Sequence, residues 1–466
     1  MKKWIGFFVV LAVLILVAFY AMGFMIKSTF TKNINSIPDS PFMSVQLEKY
    51  RRGFFSSQAV LKLKIHVPAQ QVTDKNGAAR LDPPVDMNID LPILIKHGPI
   101  ICSENGIRFG LGLITTKPET HYQIFINYLN KMIANYSLPS FAIRVNPGPQ
   151  AGGEYQLNWK GLDTLFKVST NLNDVEGNLK LYGLDGSGNN TVLKIDNVGH
   201  KFKYKRHQNW LWLGQSKFKI PFVLLNQAGQ KLFELKDFSF MLDSDAPDDA
   251  LYFDWDVSMQ NLYANAQSYG PGRLKLNIKN LDSAAMANIM QQSSNMLQEN
   301  GNSDAATAGI LAQLPKLLSR GPVMELSELA LNLPEGKVLG NFKLSLPNNV
   351  NDPNQIVQKM QGEGQFRAPI ATVRQLLIAS TKSDLDSKNT PATNNQPAVV
   401  PGAVANPVSA VTDTQAEAQM QVDKMLQALT SKGFLKVEGS DYVLIFKLEN
   451  QQLIINGQPF NPNMLQ

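Results

Sequence analysis

From residue 4 to residue 26 the chain carries no charge, running from Trp4 through a near-continuous apolar stretch to Phe24, Met25 and Ile26, with Lys2 and Lys3 before it and Lys27 after it. A helix of that length spans roughly 35 Å at about 1.5 Å per residue, enough to cross a hydrocarbon core of about 30 Å. The pattern predicts a membrane span. A cleavable secretory signal is the competing reading, since Ala21-Met22-Gly23 has the small-x-small form of a cleavage site. Signals, however, need an apolar region of only about 7–15 residues. The short head before Trp4 has room only for a cytoplasmic stub, which puts the rest of the chain outside the cytosol.

Beyond the span the dominant pattern is period two, which sets one row of side chains on a buried face and the other in water. Leu61, Leu63, Ile65 and Val67 alternate with Lys62, Lys64 and His66, and Val85, Met87, Ile89 and Leu91 alternate with Asp86, Asn88 and Asp90. The alternation returns at Tyr155, Leu157 and Trp159, at Phe202 and Tyr204 among lysines, at Phe218, Ile220 and Phe222, at Phe253, Trp255 and Val257, and at Leu274, Leu276 and Ile278. Turn-forming clusters at 185–190, 226–229 and 269–272 separate these runs. Many half-buried strands joined by short turns predict an antiparallel meander.

Helical spacing is confined to a few places. Ile124, Tyr128, Met132 and Ile133 share a stripe in 117–136, and Met286, Ile289, Met290 and Leu297 form another. Ile310 to Leu318 follows, where Pro315 should kink or restart the helix. Asp352-Pro353 and Pro369 are good helix starts, the second running to Ala379, and Val422, Met425, Leu426 and Leu429 mark the last helix. Residues 382–412 are rich in Pro, Asn, Ala and Ser and too poor in bulky apolar groups to offset the entropy of ordering, which predicts a disordered insertion. The expected fold is α+β, mainly β: an N-terminal transmembrane helix followed by an extended, curved antiparallel sheet with a few amphipathic helices. Its divisions are a stub over 1–3, the span over 4–26, a linker over 27–49, a body over 50–381, the insertion over 382–412, and a closing helix and strands over 413–466.

Composition narrows the setting. The single cysteine, Cys102, excludes an intrachain disulfide, so an exported body of this size is held by ordinary burial. That suits a bacterial envelope better than a small secreted domain. The net charge of +6 comes from dispersed lysines with no basic block, which argues against nucleic acid as a partner.

Three separated stretches resemble a bacterial envelope family of unknown function, the YdgA-like proteins. The first is Gly53-Phe54-Phe55-Ser56-Ser57 leading into a strand, and the second is His97-Gly98-Pro99 at the end of one. The third is the close, from Gly433-Phe434 to Asn456-Gly457-Gln458-Pro459. The order of 317–337, with Arg320-Gly321-Pro322 and Pro334-Glu335-Gly336, fits as well. The resemblance implies an inner-membrane-anchored periplasmic protein with an elongated antiparallel sheet. It brings no catalytic residues.

Candidate chemistry is sparse. His97, with Cys102 and Glu104 close in sequence, has the makings of an acid–base or metal site; a turn in which Gly98 supplies the dihedrals and Pro99 fixes the exit is the structural reading. The segment from Asp185 superficially resembles a calcium loop, but its sixth position is Asn190 and its twelfth Asp196. Asp243, Asp245, Asp248 and Asp249 could hold a divalent ion or simply form a solvated acidic loop. No phosphate-cradling loop, zinc-binding His-Glu-x-x-His, nucleophile elbow or Cys-x-x-Cys is present. No cofactor or metal is expected. The aromatic set Trp159, Trp210, Trp212, Phe218, Phe222, Phe253 and Trp255 is read as one face, either packed core or an apolar groove for acyl chains. The functional expectation is a non-enzymatic protein, tied to the lipid bilayer through residues 4–26, that binds or scaffolds lipid or another apolar envelope component. An interaction module for another envelope or motility-related protein is the alternative, and an enzyme with an unrecognised site the third.

Overall fold

A computed structural model describes residues 2–35, 37, 43–67, 70–73, 79–82, 85–103, 106–115, 122–145, 155–169, 172–188, 190–208, 211–298, 303–350, 352–389 and 414–461. The chain opens with helix α1 (Lys2–Asn35), strands β1 (Met43–Arg52) and β2 (Ser56–Val67), a ribbon of β3 (Gln70–Thr73) and β4 (Ala79–Asp82), and β5 (Val85–His97). A second ribbon, β6 (Ile101–Ser103) and β7 (Gly106–Arg108), precedes β8 (Gly112–Thr115), β9 (Tyr122–Ile126), β10 (Met132–Leu138), β11 (Phe141–Val145), β12 (Tyr155–Trp159) and β13 (Leu162–Val168). Four long strands follow: β14 (Asp174–Gly188), β15 (Thr191–Gln208), β16 (Leu211–Gln227) and β17 (Gln230–Asp245). Next come β18 (Ala250–Met259), β19 (Asn261–Ala264), β20 (Gln267–Tyr269), β21 (Gly272–Asp282), α2 (Ser283–Gln298) and α3 (Ser303–Leu317). The chain closes with β22 (Val323–Leu333), β23 (Gly336–Ser345), α4 (Pro353–Lys359), β24 (Gln361–Pro369), α5 (Ile370–Asn389), α6 (Thr414–Ser431), β25 (Lys436–Glu438), β26 (Asp441–Glu449), β27 (Gln452–Ile455) and β28 (Gln458–Phe460).

Apart from the two ribbons, these strands form one antiparallel sheet of 24 strands. Its spine follows the chain almost without crossing, each new strand adding beside the last, which is what short turns between alternating strands allow. A transverse line of unusual backbone divides the long strands. Gly183 has φ 136°, Asn197 φ 44° and Asp237 φ 51°. On one side of that line β14 pairs with β13 and β17 with β18; on the other β14 pairs with β12 and β17 with β19. Left-handed residues break strict alternation, so the apolar phase slips by one position across the line.

Three apolar clusters hold helices to the sheet. α1 packs Ile26 and Phe30 against Ala59, Ile95, Ile114 and Ile126. α2 and α3 pack Ala285, Ala287 and Leu317 against Leu211, Leu213, Leu251 and Leu281. α5 and α6 pack Ile378, Ala418, Val422 and Leu426 together, with Tyr442 and Leu444 of β26 beneath.

Several expectations are corrected. Within the linker expected over 27–49, residues 27–35 continue α1 and 43–49 belong to β1, because Ile26, Phe30 and Ile34 carry the apolar stripe past the charge at Lys27; residues 36 and 38–42 lie outside the described residues. The helix expected over 117–136 is the β9–β10 hairpin where it is described. Its turn is made by the Asn127 side chain, whose Oδ1 accepts from the amides of Leu129 and Lys131 at 3.0 Å, with Asn130 left-handed at φ 59°. Residues 116–121 lie outside the described residues. The hairpin turn placed at 185–190 is shorter, since β14 extends to Gly188. Pro315 falls in the last turn of α3, which runs unbroken from Ser303 to Leu317, so it does not restart the helix. α5 runs to Asn389, so the insertion expected from Lys382 begins as helix, with the Lys382–Asp386 ion pair spanning one turn. The remainder of that insertion, 390–412, lies outside the described residues.

Candidate functional site

Helix α1 meets the sheet where side chains are missing. A Cβ on Gly23 would stand 2.5 Å from His97 Cε1 and 2.9 Å from Nδ1. On Gly98, at φ 134°, it would stand 2.0 Å from the Phe19 ring, and on Gly112 1.7 Å from Ile26 Cδ1. One glycine on the helix, one just after β5 and one on β8 thus let backbone and rings approach to a separation no other residue permits.

His97 lies at the centre of this contact, only 2% exposed. Its Nε2 shares a hydrogen bond of 3.1 Å with Ser57 Oγ, and its amide donates to the Phe55 carbonyl at 3.1 Å. Burial holds the imidazole below its ordinary pKa, with the Phe19 carbonyl opposing that shift. Nδ1 makes no hydrogen bond of standard geometry. Phe55 packs edge-on against Phe19 of the helix at 5.0 Å, Phe54 lies on Phe55, and the Pro99 carbonyl accepts from the Tyr128 hydroxyl at 2.8 Å. Gly53 admits the Ser56 carbonyl where a Cβ would be 2.3 Å from it. The two separated motifs from Gly53 to Ser57 and from His97 to Pro99 therefore build one collar around α1. Ser57 and His97 have the reach of a nucleophile–base pair, but Ser57 is 1% exposed and α1 seals both from any substrate. Cys102 is exposed on β6, its carbonyl accepting from Lys96 Nζ at 3.0 Å, and Glu104 lies outside the described residues. Among the described residues no three His, Cys, Asp or Glu side chains gather as a metal site would require.

The third motif sits at the far end of the sheet. Asn456, left-handed at φ 49°, donates through Nδ2 to the carbonyls of Phe434 and Val443 and accepts the Ile445 amide on Oδ1. Gly433 and Gly457 turn with positive φ, and Pro459 faces Ile454 across the closing hairpin. These residues knit the last strands to the end of α6.

Between the two ends one face of the sheet is largely apolar. Residues opposite one another in successive ladders share a face, and from α1 that row reads Ile95, Ile114, Ile124, Ala134 and Phe166. It continues through Gly177, Phe202, Ser216, Leu242 and Trp255. It then passes Leu276, Leu326, Phe342 and Gly364 to Phe446 and Ile455 in the closing strands. A parallel row holds Leu179, His200, Phe218, Phe240, Val257, Leu274 and Leu329. The Ser216 hydroxyl is matched to His200 Nε2 at 2.9 Å. Aromatic pairs recur along the face, including Phe166–Phe202 at 6.1 Å, Phe253–Trp255 at 5.3 Å and Phe366–Phe446 at 6.5 Å. The helices cover three patches of it; Phe202, Leu242, Trp255, Leu276 and Phe342 between them stay only half-buried.

Of the aromatic set expected on this face, Phe218, Phe253 and Trp255 lie on it. Trp159 belongs to the apolar row beyond the transverse line, opposite Phe141 and Leu184. Phe222 does not belong: the phase slip places it opposite Asp196 and Lys236, with Lys194 over its ring. Trp212 is also off the face. Its neighbours Leu211 and Leu213 enter the cluster under α2 and α3, while its indole N–H donates to the Leu172 carbonyl and its ring stacks under Arg206. Trp210 lies outside the described residues.

A cavity of about 910 Å³ crosses the same strands. Trp255 and Phe202 are at its floor, but Tyr204, Phe218, Val257 and Leu274, which flank that row on the apolar face, do not reach it. Its walls are the polar rows on either side, with Lys201, Lys203, Lys217 and Lys275 set against Glu176, Asp243, Asp254 and Asp256. Leu242 and Leu276 of the apolar row line it as well, so the cavity follows that row between two rows of charged residues.

The class that these features define is an N-terminal helix, long and apolar enough to cross a membrane, docked on a single large antiparallel sheet. The chain belongs to a bacterial protein family of unknown function, DUF945, whose model matches residues 1–463. No curated protein matches the chain. Sequence reasoning missed Phe19, Gly23 and Gly112; a glycine inside an apolar helix is the one signal that pointed to Gly23.

Proposed function

We propose that this protein is a single-pass inner-membrane protein whose periplasmic body binds the acyl chains of lipids, or another long apolar envelope molecule, along the apolar face of its sheet, without chemistry of its own. The observation that carries the reading is the largely apolar row from Ile95 to Ile455, interrupted by Ser216 and two glycines, of which helices cover only the ends and one middle patch. An apolar surface of that extent left half in water is unfavourable at roughly 25 cal/mol per Å², and occupation by a hydrocarbon chain removes the penalty. The envelope placement follows the YdgA-like resemblance and the length of α1. The whole chain is the proper material for the test, because Ile26 and Phe30 belong to the core and truncation through α1 would open it. Purified in detergent, it should retain lipid in constant proportion through detergent exchange, read by mass spectrometry. Lipid-free protein with an unchanged, tightly packed face would sink the reading.

A second reading, docking of another envelope protein, is favoured by one observation: among the described residues β1 pairs with β2 alone and leaves its other edge open. Crosslinking through that edge with identification of the captured chain separates the two.

A further inference from the structure

The body of this protein does not hang from its helix on a tether; we infer that its collar of loop tips is immersed in the bilayer surface. The inference rests on α1 crossing the membrane. Leu14 to Val17 stand exposed, whereas from Ala18 onward one face of the helix is engaged by the body, with Phe19 against Phe55 and Gly98, while Tyr20, Phe24 and Met25 on the other face stay exposed. The stretch ahead of that engagement, from Trp4 to Val17, is roughly 14 residues and about 21 Å long at about 1.5 Å per residue. A hydrocarbon core is about 30 Å thick, so that stretch falls about 9 Å short. Something of the body must fill that depth.

The loops at this end of the sheet have the composition to do so. Ladder register puts three of them together: the β1–β2 turn, the described stretches 98–103 and 106–111, and the β9–β10 turn, because Ser56 faces Lys96, His97 faces Gly112 and Gly112 faces Ile126. Their tips carry Phe54, Phe55, Ile107, Phe109, Tyr128 and Leu129, all exposed, with Leu129 at 77% and Phe109 at 65%. Large apolar groups at that exposure on adjacent loops are unfavourable in water and favourable at the edge of a hydrocarbon layer. About 30 Å of helix from Trp4 ends near Gly23, and groups of a headgroup zone lie around that level: the guanidinium of Arg52 on β1 stacks on Tyr20 at 4.4 Å and, further out, Lys27 Nζ lies 5.6 Å from the ring centroid of Tyr50 on β1. Aromatic rings with cationic partners mark the level at which a chain leaves the hydrocarbon. The same collar fixes α1 to the start of the apolar row, so the row opens at the bilayer surface.

The test uses the full chain with Cys102→Ser, carrying a single cysteine from Leu129→Cys, Phe109→Cys or, at the far end of the sheet, Lys436→Cys. Each is labelled with an environment-sensitive fluorophore and reconstituted into vesicles of phosphatidylethanolamine and phosphatidylglycerol. Labels at 129 and 109 should emit to the blue and be quenched by nitroxides attached near the lipid headgroups, whereas the label at 436 should respond only to aqueous iodide. If the labels at 129 and 109 also answer only to iodide while the protein resists alkaline carbonate extraction, α1 spans but the collar stays in water, and the inference is overturned. Release of the protein by carbonate would instead overturn the anchor itself.

Discussion

The contact between Ile26 and Gly112 offers a quantitative check on whether α1 is part of the body. Ile26 is fully buried, and Gly112 presents no side chain because a Cβ there would stand 1.7 Å from Ile26 Cδ1. Ile26→Ala removes the outer carbons of a fully buried side chain, and such truncations destabilise by about 2–5 kcal/mol, depending on how far the site collapses. Gly112→Ala adds a methyl to a filled space and should be destabilising by about 1–3 kcal/mol. The double variant discriminates. With Cδ1 and Cγ1 of Ile26 gone, the new methyl enters the vacated volume, so the combined effect should fall short of the sum by about 1–3 kcal/mol. Urea titration of the full chain in detergent, followed by tryptophan fluorescence, reads this directly, since Trp159, Trp212 and Trp255 all lie in the sheet. Strict additivity, or a neutral Ile26→Ala, would refute the docking of the helix.

Further expectations follow from the same contacts. Intact mass should show the N-terminal helix retained, since cleavage after Gly23 would strip Phe19 from Gly98 and Phe55; a mature chain beginning at Phe24 would contradict this. Because the folded pKa of His97 lies below its ordinary 6.5, the folded state favours the neutral ring. Its contribution is intact above about pH 6.5 and is lost as pH falls below that toward the folded value. Wild-type stability should therefore decline on mild acidification more steeply than that of His97→Gln; identical pH profiles would remove His97 from the explanation. Ser57→Ala leaves His97 Nε2 buried without its partner and should be destabilising by about 1–3 kcal/mol, read by the same urea midpoint. Asn456→Ala abolishes three hydrogen bonds at the close and should raise amide exchange across 434–456 while leaving the α1 collar protected.

Much of this architecture was written in alternation. The strands from 61–67 to 274–278 stand where period two placed them, because each buries one side and the pleat leaves no other arrangement. Three features escaped for identifiable reasons. The β9–β10 hairpin carries Ile124, Tyr128, Met132 and Ile133, which satisfy a helical stripe as well as a strand pair, and a short apolar run cannot be resolved by period alone. Phe222 sits one residue past a phase slip created by Asn197 and Asp237 on neighbouring strands, and nothing local to Phe222 announces it. The helix site depends on Gly23 meeting His97 across some 70 residues of chain, a coincidence that only tertiary packing reveals. The motif residues from Gly53 to Ser57 and from His97 to Pro99 were legible as motifs, while their meeting around α1 was not.

The central claim is that the apolar row is a lipid-binding surface, and photocrosslinking from within the membrane tests it most directly. A benzophenone amino acid in place of Trp255 or Phe342 lies on the half-buried apolar row, and in place of Lys203 it lies on the polar side of the same sheet. Irradiated in native membranes and analysed by mass spectrometry, the first two variants should carry lipid adducts and the third should carry none. Adducts absent from positions 255 and 342, or equally frequent at 203, would contradict the account.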